Sequence, residues 1–525
     1  MSAEKTALII GSAPIAYVAA CVEEIAAAYD RVIVVAKGEP GQGLERDTVT
    51  VRSFEGQLNV SNAALAKAIL TSRPDAVYIV YGSWLGHNHI FIAVNFYMAL
   101  LLKRYKAYLF SRSAQEVDLK KRISHPFTRV DLGLSLVHWL FLPLYLFVRL
   151  LGPLLRIRFE PMRPSALGHY EELEIYLGMR YAGHVPPRTI DVFCYKDKPC
   201  NRQILKMFRT KILIIPWARY LLTWNHYIPG GEKHRLDLRP WDYSTLITQH
   251  DCKIAFSPED RSRAVEQMKT MGLQEGESFV CLGFRDGMFD QQVRLGLYGN
   301  QEDANARRQL NLHAFRNADI ANAECAVDYL TQQGHKVVRM GSIARPLPQA
   351  MQVKAFDYAN WDGRNELLDI YLGASCRFFL TTGYGLDTPP LIFRRPLVSM
   401  NTEYRLLRPN TLFTFRHHWS TKEQRPLSFH EIFSTGVAFF STTTQFEENG
   451  IELRENTPEE IYDVVREMEE RTRGIWVETA EDLEMQERFW EAARPHYLPQ
   501  YTTKNYTDSI RIGTLFMKKN PYLLG

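Results

Sequence analysis

Hydrophobic positions fall along this chain in short unbroken runs, and amphipathic stretches separate them. Residues 6–11 (TALIIG), 31–36 (RVIVVA) and 76–81 (AVYIVY) have the continuous apolar character of strands buried on both faces. Residues 48–54 alternate and 107–110 form another short run, while 15–29 and 63–71 carry helical spacing. Strands alternating with helices predict a parallel sheet, so residues 1–128 read as a Rossmann-like or flavodoxin-like α/β lobe. The alternation resumes with strands at 156–161, 189–195 and 212–216 and helices at 170–177 and 202–208, giving a smaller lobe over 158–257. A third lobe over 258–478 opens on a helix begun by Ser257-Pro-Glu-Asp, with a strand at 278–282. Within it Ile320, Ala323, Val327 and Leu330 recur at helical spacing, with Asn317 or Asp319 as cap and Gly334 as stop. Thr457-Pro-Glu-Glu is a capping box with proline at the first helical position. Residues 479–525 read as a charged amphipathic helix and an aromatic tail.

One segment breaks the pattern. Residues 134–155, LSLVHWLFLPLYLFVRLLGPLL, are almost wholly apolar, and they sit in a hydrophobic segment expected over 129–157. The length just reaches the ~20 residues that a spanning helix needs. However, Pro143, Gly152 and Pro153 interrupt it, and Arg149 lies inside it. Lys103, Arg104, Lys106, Lys120, Lys121 and Arg122 precede it, and Arg156, Arg158 and Arg163 follow. An interfacial membrane element, a buried interdomain helix and a true span all fit this pattern.

Composition narrows the field little. With 525 residues and 46% hydrophobic content the chain is long enough for several packed domains. A formal charge of +4 is slight for this length and does not argue for nucleic acid. Seven scattered cysteines show no CxxC and no zinc-ligand spacing, as expected for reduced thiols in a cytoplasmic setting. The opening MSAEKTALIIGSAP lacks the basic and apolar regions of a signal peptide. The GSAP turn after the first strand is not GxGxxG, which argues against a dinucleotide site there.

The chemistry concentrates at residues 373–401, GASCRFFLTTGYGLDTPPLIFRRPLVSMN. This reads as a strand over 376–381, a turn on Thr381, Thr382, Gly383, Tyr384, Gly385 and Leu386, a helix from Pro389 and a strand from Pro396. Such an order aims backbone N–H groups at one spot, a phosphate site at the carboxyl edge of a sheet. The same glycines also suit a tight turn with no ligand. Upstream, VVRMGS over 337–342 is a second strand-turn, with Arg339, Gly341 and Ser342 on the same class of edge. Arg339 could equally pair with Asp369, Arg285 with Asp286, and Arg316-Asn317 could be a helix cap. His169, beside Glu171 and Glu172, is a candidate general base with Asp197 in reserve. Lys196, Asp197 and Asn201 are candidate acceptor contacts in a loop that is otherwise simply solvated.

From about residue 156 onward the chain resembles a family of bacterial glycosyltransferases found with surface-polysaccharide biosynthesis, of the two-lobed GT-B type. The matching stretches are ALGH (166–169), CYKDKPCN (194–201), VCLGFRD (280–286), FRNADI (315–320), VVRMGS (337–342), FLTTGYGL (379–386) and IELRENTPEEI (451–461). The family pattern has histidine before the arginine where this chain has Gly283-Phe284-Arg285, which leaves Arg285 as the residue to watch. The resemblance implies two Rossmann-like lobes facing a cleft, with the N-terminal lobe as an addition. It implies transfer of a sugar from a nucleotide-sugar donor to a polysaccharide or lipid-linked glycan at the cytoplasmic face of the inner membrane. Donor binding would fall to Arg316, Arg339, Gly341, Ser342 and the 381–386 turn, with His169 and Arg285 catalytic. No cofactor or metal is expected, since the chain has no Asp-x-Asp. A sugar-nucleotide epimerase or hydrolase of the same fold, and a non-catalytic assembly subunit, are the alternatives.

Overall fold

The structure is a computed structural model that describes residues 5–11, 22, 29–37, 49–54, 76–80, 106–110, 137–225, 228, 230–236, 246–289, 291–292 and 312–525. The helices expected at 15–29 and 63–71, turn residues 12–14 and most of the basic residues before 134 lie outside that set. The chain divides into two compact units: 1–161, 188–195 and 214–237 in the first, and 162–187, 196–213 and 238–525 in the second. Residues 158–257 are divided between the two units.

The first unit begins with five parallel strands, β1 (Thr6–Gly11), β2 (Arg31–Lys37), β3 (Val49–Phe54), β4 (Ala76–Val80) and β5 (Lys106–Phe110), in the order β3-β2-β1-β4-β5. That order reverses between β1 and β4, as in a Rossmann half. Ala7, Val32 and Val34 are completely buried, as continuous apolar strands require. A second, three-stranded sheet follows: β6 (Arg156–Pro161), β7 (Thr189–Cys194) and β8 (Leu213–Ile214). β6 and β7 run parallel, and register partners Arg158 and Asp191 form a two-pronged ion pair at 2.7 and 2.9 Å. The strand expected over 212–216 is cut to two residues because Pro216 opens a helical turn. Helix α1 (Leu142–Leu151) packs Tyr145 and Val148 against Phe159, Val192, Ala218 and Leu221, the last from a later short helix.

In the second unit, helix α2 (Glu171–Tyr181) and helix α3 (Arg202–Arg209) precede helix α4 (Pro258–Thr270), which leads into the main sheet. Its strands are β9 (Phe279–Gly283), β10 (Lys336–Met340), β11 (Ala355–Asp357), β12 (Phe379–Thr381), β13 (Leu397–Thr402), β14 (Thr411–Phe415) and β15 (Ile510–Ile512). All pair in parallel, in the order β11-β10-β9-β12-β13-β14-β15. Alternate residues serve opposite faces, as the period of two demands. Val280 and Leu282 join one core with α5 (Glu324–Gln332) and α8 (Pro458–Arg473). Phe279 and Cys281 join the other with α4 and α6 (Glu366–Ser375). Asp319 accepts from the Ala321 N–H ahead of α5, and Thr457 and Glu460 close their capping box. The C-terminal stretch is more than a tail, since it supplies edge strand β15 and helix α9 (Ala480–Ala493). α9 packs Phe489 and Trp490 into an aromatic core with Phe413, Phe415 and Phe433.

Candidate functional site

The carboxyl ends of β12 and β13 frame a cavity of about 170 Å³. Its wall includes Gly168, Arg316, Thr382, Gly383, Gly385, Asp387, Ser399, Thr402, Glu403, Arg405 and Arg408. The fold puts it there because strand order reverses at β9 and β12, the position where an open α/β sheet leaves a crevice. The 381–386 turn lies in this wall, apart from Leu386, which leans on the core beneath.

The turn is held from within. Gly383 N–H donates to Thr381 Oγ1 at 3.1 Å, Tyr384 N–H to Asp387 Oδ2 at 3.1 Å, and Thr382 N–H to the Gly283 carbonyl at 3.3 Å. The N–H groups of Thr382, Gly383 and Tyr384, expected to face a phosphate, therefore already have acceptors. The helix behind them, α7 (Thr388–Ile392), has five residues, too short for a strong dipole. Gly385 allows a close approach, since a Cβ there would lie 3.2 Å from Gly168 N. That approach brings the turn carrying His169 against the glycine loop.

Positive charge comes from arginines instead. Arg316 donates to the Gly383 carbonyl at 2.5 Å, and Glu403 bridges Arg316 and Arg405 at 2.5 and 2.6 Å. Arg408 contacts Glu171 at 3.1 Å and Asp387 at 3.4 Å. Burial pushes the Asp387 carboxyl up to about 6, against the pull of Arg408, the Thr381 hydroxyl and the Tyr384 N–H. Burial likewise raises Glu171, opposed by Arg408. A neighbouring space of about 20 Å³ shares Arg316, Thr382, Thr402 and Glu403 and is lined by Arg416, His418 and Phe446. Burial lowers His418 to about 4, so it is neutral, and its Nδ1–H donates to the Arg416 carbonyl. The Tyr384 hydroxyl, Asn401 Nδ2 and Arg416 Nε are buried without a hydrogen-bond partner among the described residues. Buried orphans cost stability unless something meets them; Tyr384 lines the larger cavity, and Asn401 and Arg416 line the smaller space.

The remaining sequence candidates fall in different places. Arg339 is 1% exposed and pairs with Asp357 at 3.1 Å, with Asp286 at 3.7 Å, so it belongs to the sheet interior and not to the cavity wall. Its expected alternative partner, Asp369, is held by Arg364 and Tyr358. Gly341 and Ser342 follow β10 and do not line the cavity; a Cβ on Gly341 would come within 2.9 Å of Ala359 Cβ. Arg285 donates through Nε to Asn317 and accepts no place in the wall, while its backbone N–H reaches Thr382 Oγ1 at 3.0 Å. Phe284, at the position where a histidine was expected, is core. Asn201 caps α3 through Ile204 N–H and donates to the Glu366 carbonyl, so a buried cap replaces the expected acceptor contact. Lys196 and Asp197 are exposed. His169 Nδ1 lies 3.1 Å from Glu172 Oε1. The sequence reading missed Asp387, Ser399, Glu403, Arg405 and Arg408. The EYRLLRP run at 403–409 carried a signal: two arginines three apart just beyond a buried strand.

Among the described residues no group of three or more His, Cys, Asp or Glu is placed to hold a metal ion. No protein-family model matches the chain, and a search of curated proteins finds no match. Among solved structures the chain is similar to one described as a UDP-N-acetylglucosamine 2-epimerase from Listeria monocytogenes, at 11% identity over 76% of this chain and 79% of that one. The TM-score is 0.16, too low for the likeness to carry an argument, so the surface-polysaccharide family stays an expectation.

Proposed function

We propose that the cavity beside the 381–387 turn binds the diphosphate of a nucleotide sugar, and that the protein is a glycosyltransferase acting on a glycan or lipid-linked acceptor. The observation that carries this reading is the wall itself, where Arg316, Arg405 and Arg408 stand with Glu403 and Asp387, and Glu171 pairs with Arg408. Cleaving a sugar–diphosphate bond builds negative charge on the leaving group, and fixed guanidinium groups stabilise it without reorganisation. His169 is the candidate base. With its Nδ1–H donated to Glu172, Nε2 is left to accept a hydroxyl proton. An anion beside Asp387 favours the neutral carboxyl, so binding takes up a proton and weakens as pH rises above about 6.

One observation favours a second reading. Asp387, held near 6, is a second acid–base group besides His169, and a sugar-nucleotide epimerase or hydrolase needs both an acid and a base around the sugar. The test is thermal denaturation of the full chain with UDP, GDP, ADP and CDP. About 100 Kd of ligand should add roughly 2.7 kcal/mol. Arg405→Ala, a partly exposed position, should abolish the shift. Conversion of the matching nucleotide sugar without acceptor would select the second reading. No shift from folded protein with any of the four would overturn both.

A further inference from the structure

The segment 137–154, which contains helix α1, is apolar apart from His138 and Arg149, yet only one side is covered. His138, Tyr145 and Val148 face the core at helical spacing, and the His138 carbonyl accepts from Trp224 Nε1. Leu140 (77% exposed), Phe147 (54%), Leu150 (76%) and Leu154 (73%) project outward, with Trp139 beside them. A helix hydrophobic all round is ordinarily buried in protein or lipid, and scattered single exposed residues do not make a contiguous face of this kind. No helix among the described residues is long and apolar enough to cross a membrane, and α1 has ten residues.

The ends of this face are basic. Past its C-terminal end, Arg156 is exposed, and the 231–235 turn, whose His234 ring lies 3.3 Å from a Cβ built on Gly152, exposes Lys233 and Arg235 with a single acid, Glu232, between them and the helix. At the other end Phe141 stacks on Tyr220 and on half-exposed Trp217, and Arg219 lies over the Tyr220 ring. Cations and indoles flanking an apolar helix face suit the headgroup layer of an anionic bilayer. A second copy of the chain would instead set these like charges against each other across a two-fold contact. We propose that α1 and the residues flanking it lie flat in an anionic lipid surface, with Leu140, Phe147, Leu150 and Leu154 in the acyl boundary. This assignment is independent of the nucleotide cavity.

The test is flotation of the full chain with vesicles of phosphatidylcholine alone and of phosphatidylcholine with one-third phosphatidylglycerol. Wild type should float with the anionic vesicles, less so in high salt. The triple variant Leu140→Gln, Phe147→Gln, Leu150→Gln should float at least about tenfold less. Lys233→Glu with Arg235→Glu should lose the preference for phosphatidylglycerol. Val353→Gln, at an exposed apolar position in the second unit, should float as wild type does. Brominated-lipid quenching, compared between wild type and Trp139→Phe, reports insertion without disturbing the leucines. Wild type that stays in solution with both vesicle types would overturn the proposal, as would a triple variant that floats unchanged. So would a wild-type dimer that the triple variant turns into monomers, with no vesicle binding by either.

Discussion

The sheet interior of the second unit and helix α1 of the first depart from ordinary burial in opposite directions. In the sheet, groups that belong in water are inside: Arg339 is 1% exposed, and Asp387 and His418 are buried. On α1, groups that belong inside face out. The buried charges are nearly all answered by a neighbour, so the interior is specified and rigid. The exposed leucines meet no cover among the described residues of their own unit, and on the proposal above lipid supplies it. Burying a polar group must be offset within the fold, whereas exposing an apolar one costs the folded state little, because the unfolded chain exposes it as well.

The largest expected effect tests the first half of that contrast. Arg339→Ala leaves Asp357 and Asp286 facing a void, and it should lower unfolding free energy by about 3 kcal/mol or more in a urea titration. Arg339→Met should lose clearly less; equal losses would mean that packing, and not charge pairing, holds this residue. Next come the two titrating groups. Asp387 has its folded value raised, so between about pH 4 and 6 the folded state holds the extra proton and stability falls as pH rises. His418 has its folded value lowered to about 4, so over nearly the same range stability rises with pH. Each contribution is on the order of 2–3 kcal/mol, and the two oppose. Relative to wild type, Asp387→Asn should therefore tilt stability upward with pH across that window, and His418→Asn should tilt it downward. Parallel pH curves for all three proteins would show that neither group is buried as described.

A smaller loss is expected at Asn456, whose side-chain oxygen accepts from Asn401 N–H at 2.8 Å and whose backbone N–H returns the bond at 2.7 Å. Asn456→Ala should cost about 2 kcal/mol by orphaning the buried Asn401 N–H. The smallest effect sharpens the other half of the comparison. Leu150→Gln should change unfolding free energy by less than about 0.5 kcal/mol. A loss several times larger would mean that α1 is covered after all.

Periodicity made the parallel sheets legible, because buried strands such as Val337–Met340 within β10 leave an apolar run whatever surrounds them. The capping boxes at Thr457 and Thr479 were legible for the same local reason, although only the first was singled out. The site was half legible. The glycine turn announced itself, but its N–H groups are spent on Thr381 and Asp387, a contest between ligand and loop that spacing does not decide. Arg339 was misplaced because strand-end position says nothing of the acid on the neighbouring strand: Asp357 is its register partner across β10 and β11. Arg405 and Arg408 lie beyond β13, whose end is bent by a register shift and by Asn401 at φ 54°. No sequence period carries that bend.

Strand β15 has a consequence for how the second unit is made. Thr411 of β14 pairs with Ile510, so the sheet's last edge waits on residues far along the chain. Closing so long a loop is slow, and until it closes β14 offers Leu412 and Phe413 on an open, hydrogen-bond-hungry edge. Refolding from denaturant should be most prone to aggregate in that interval, and the aggregates should be seeded by β14.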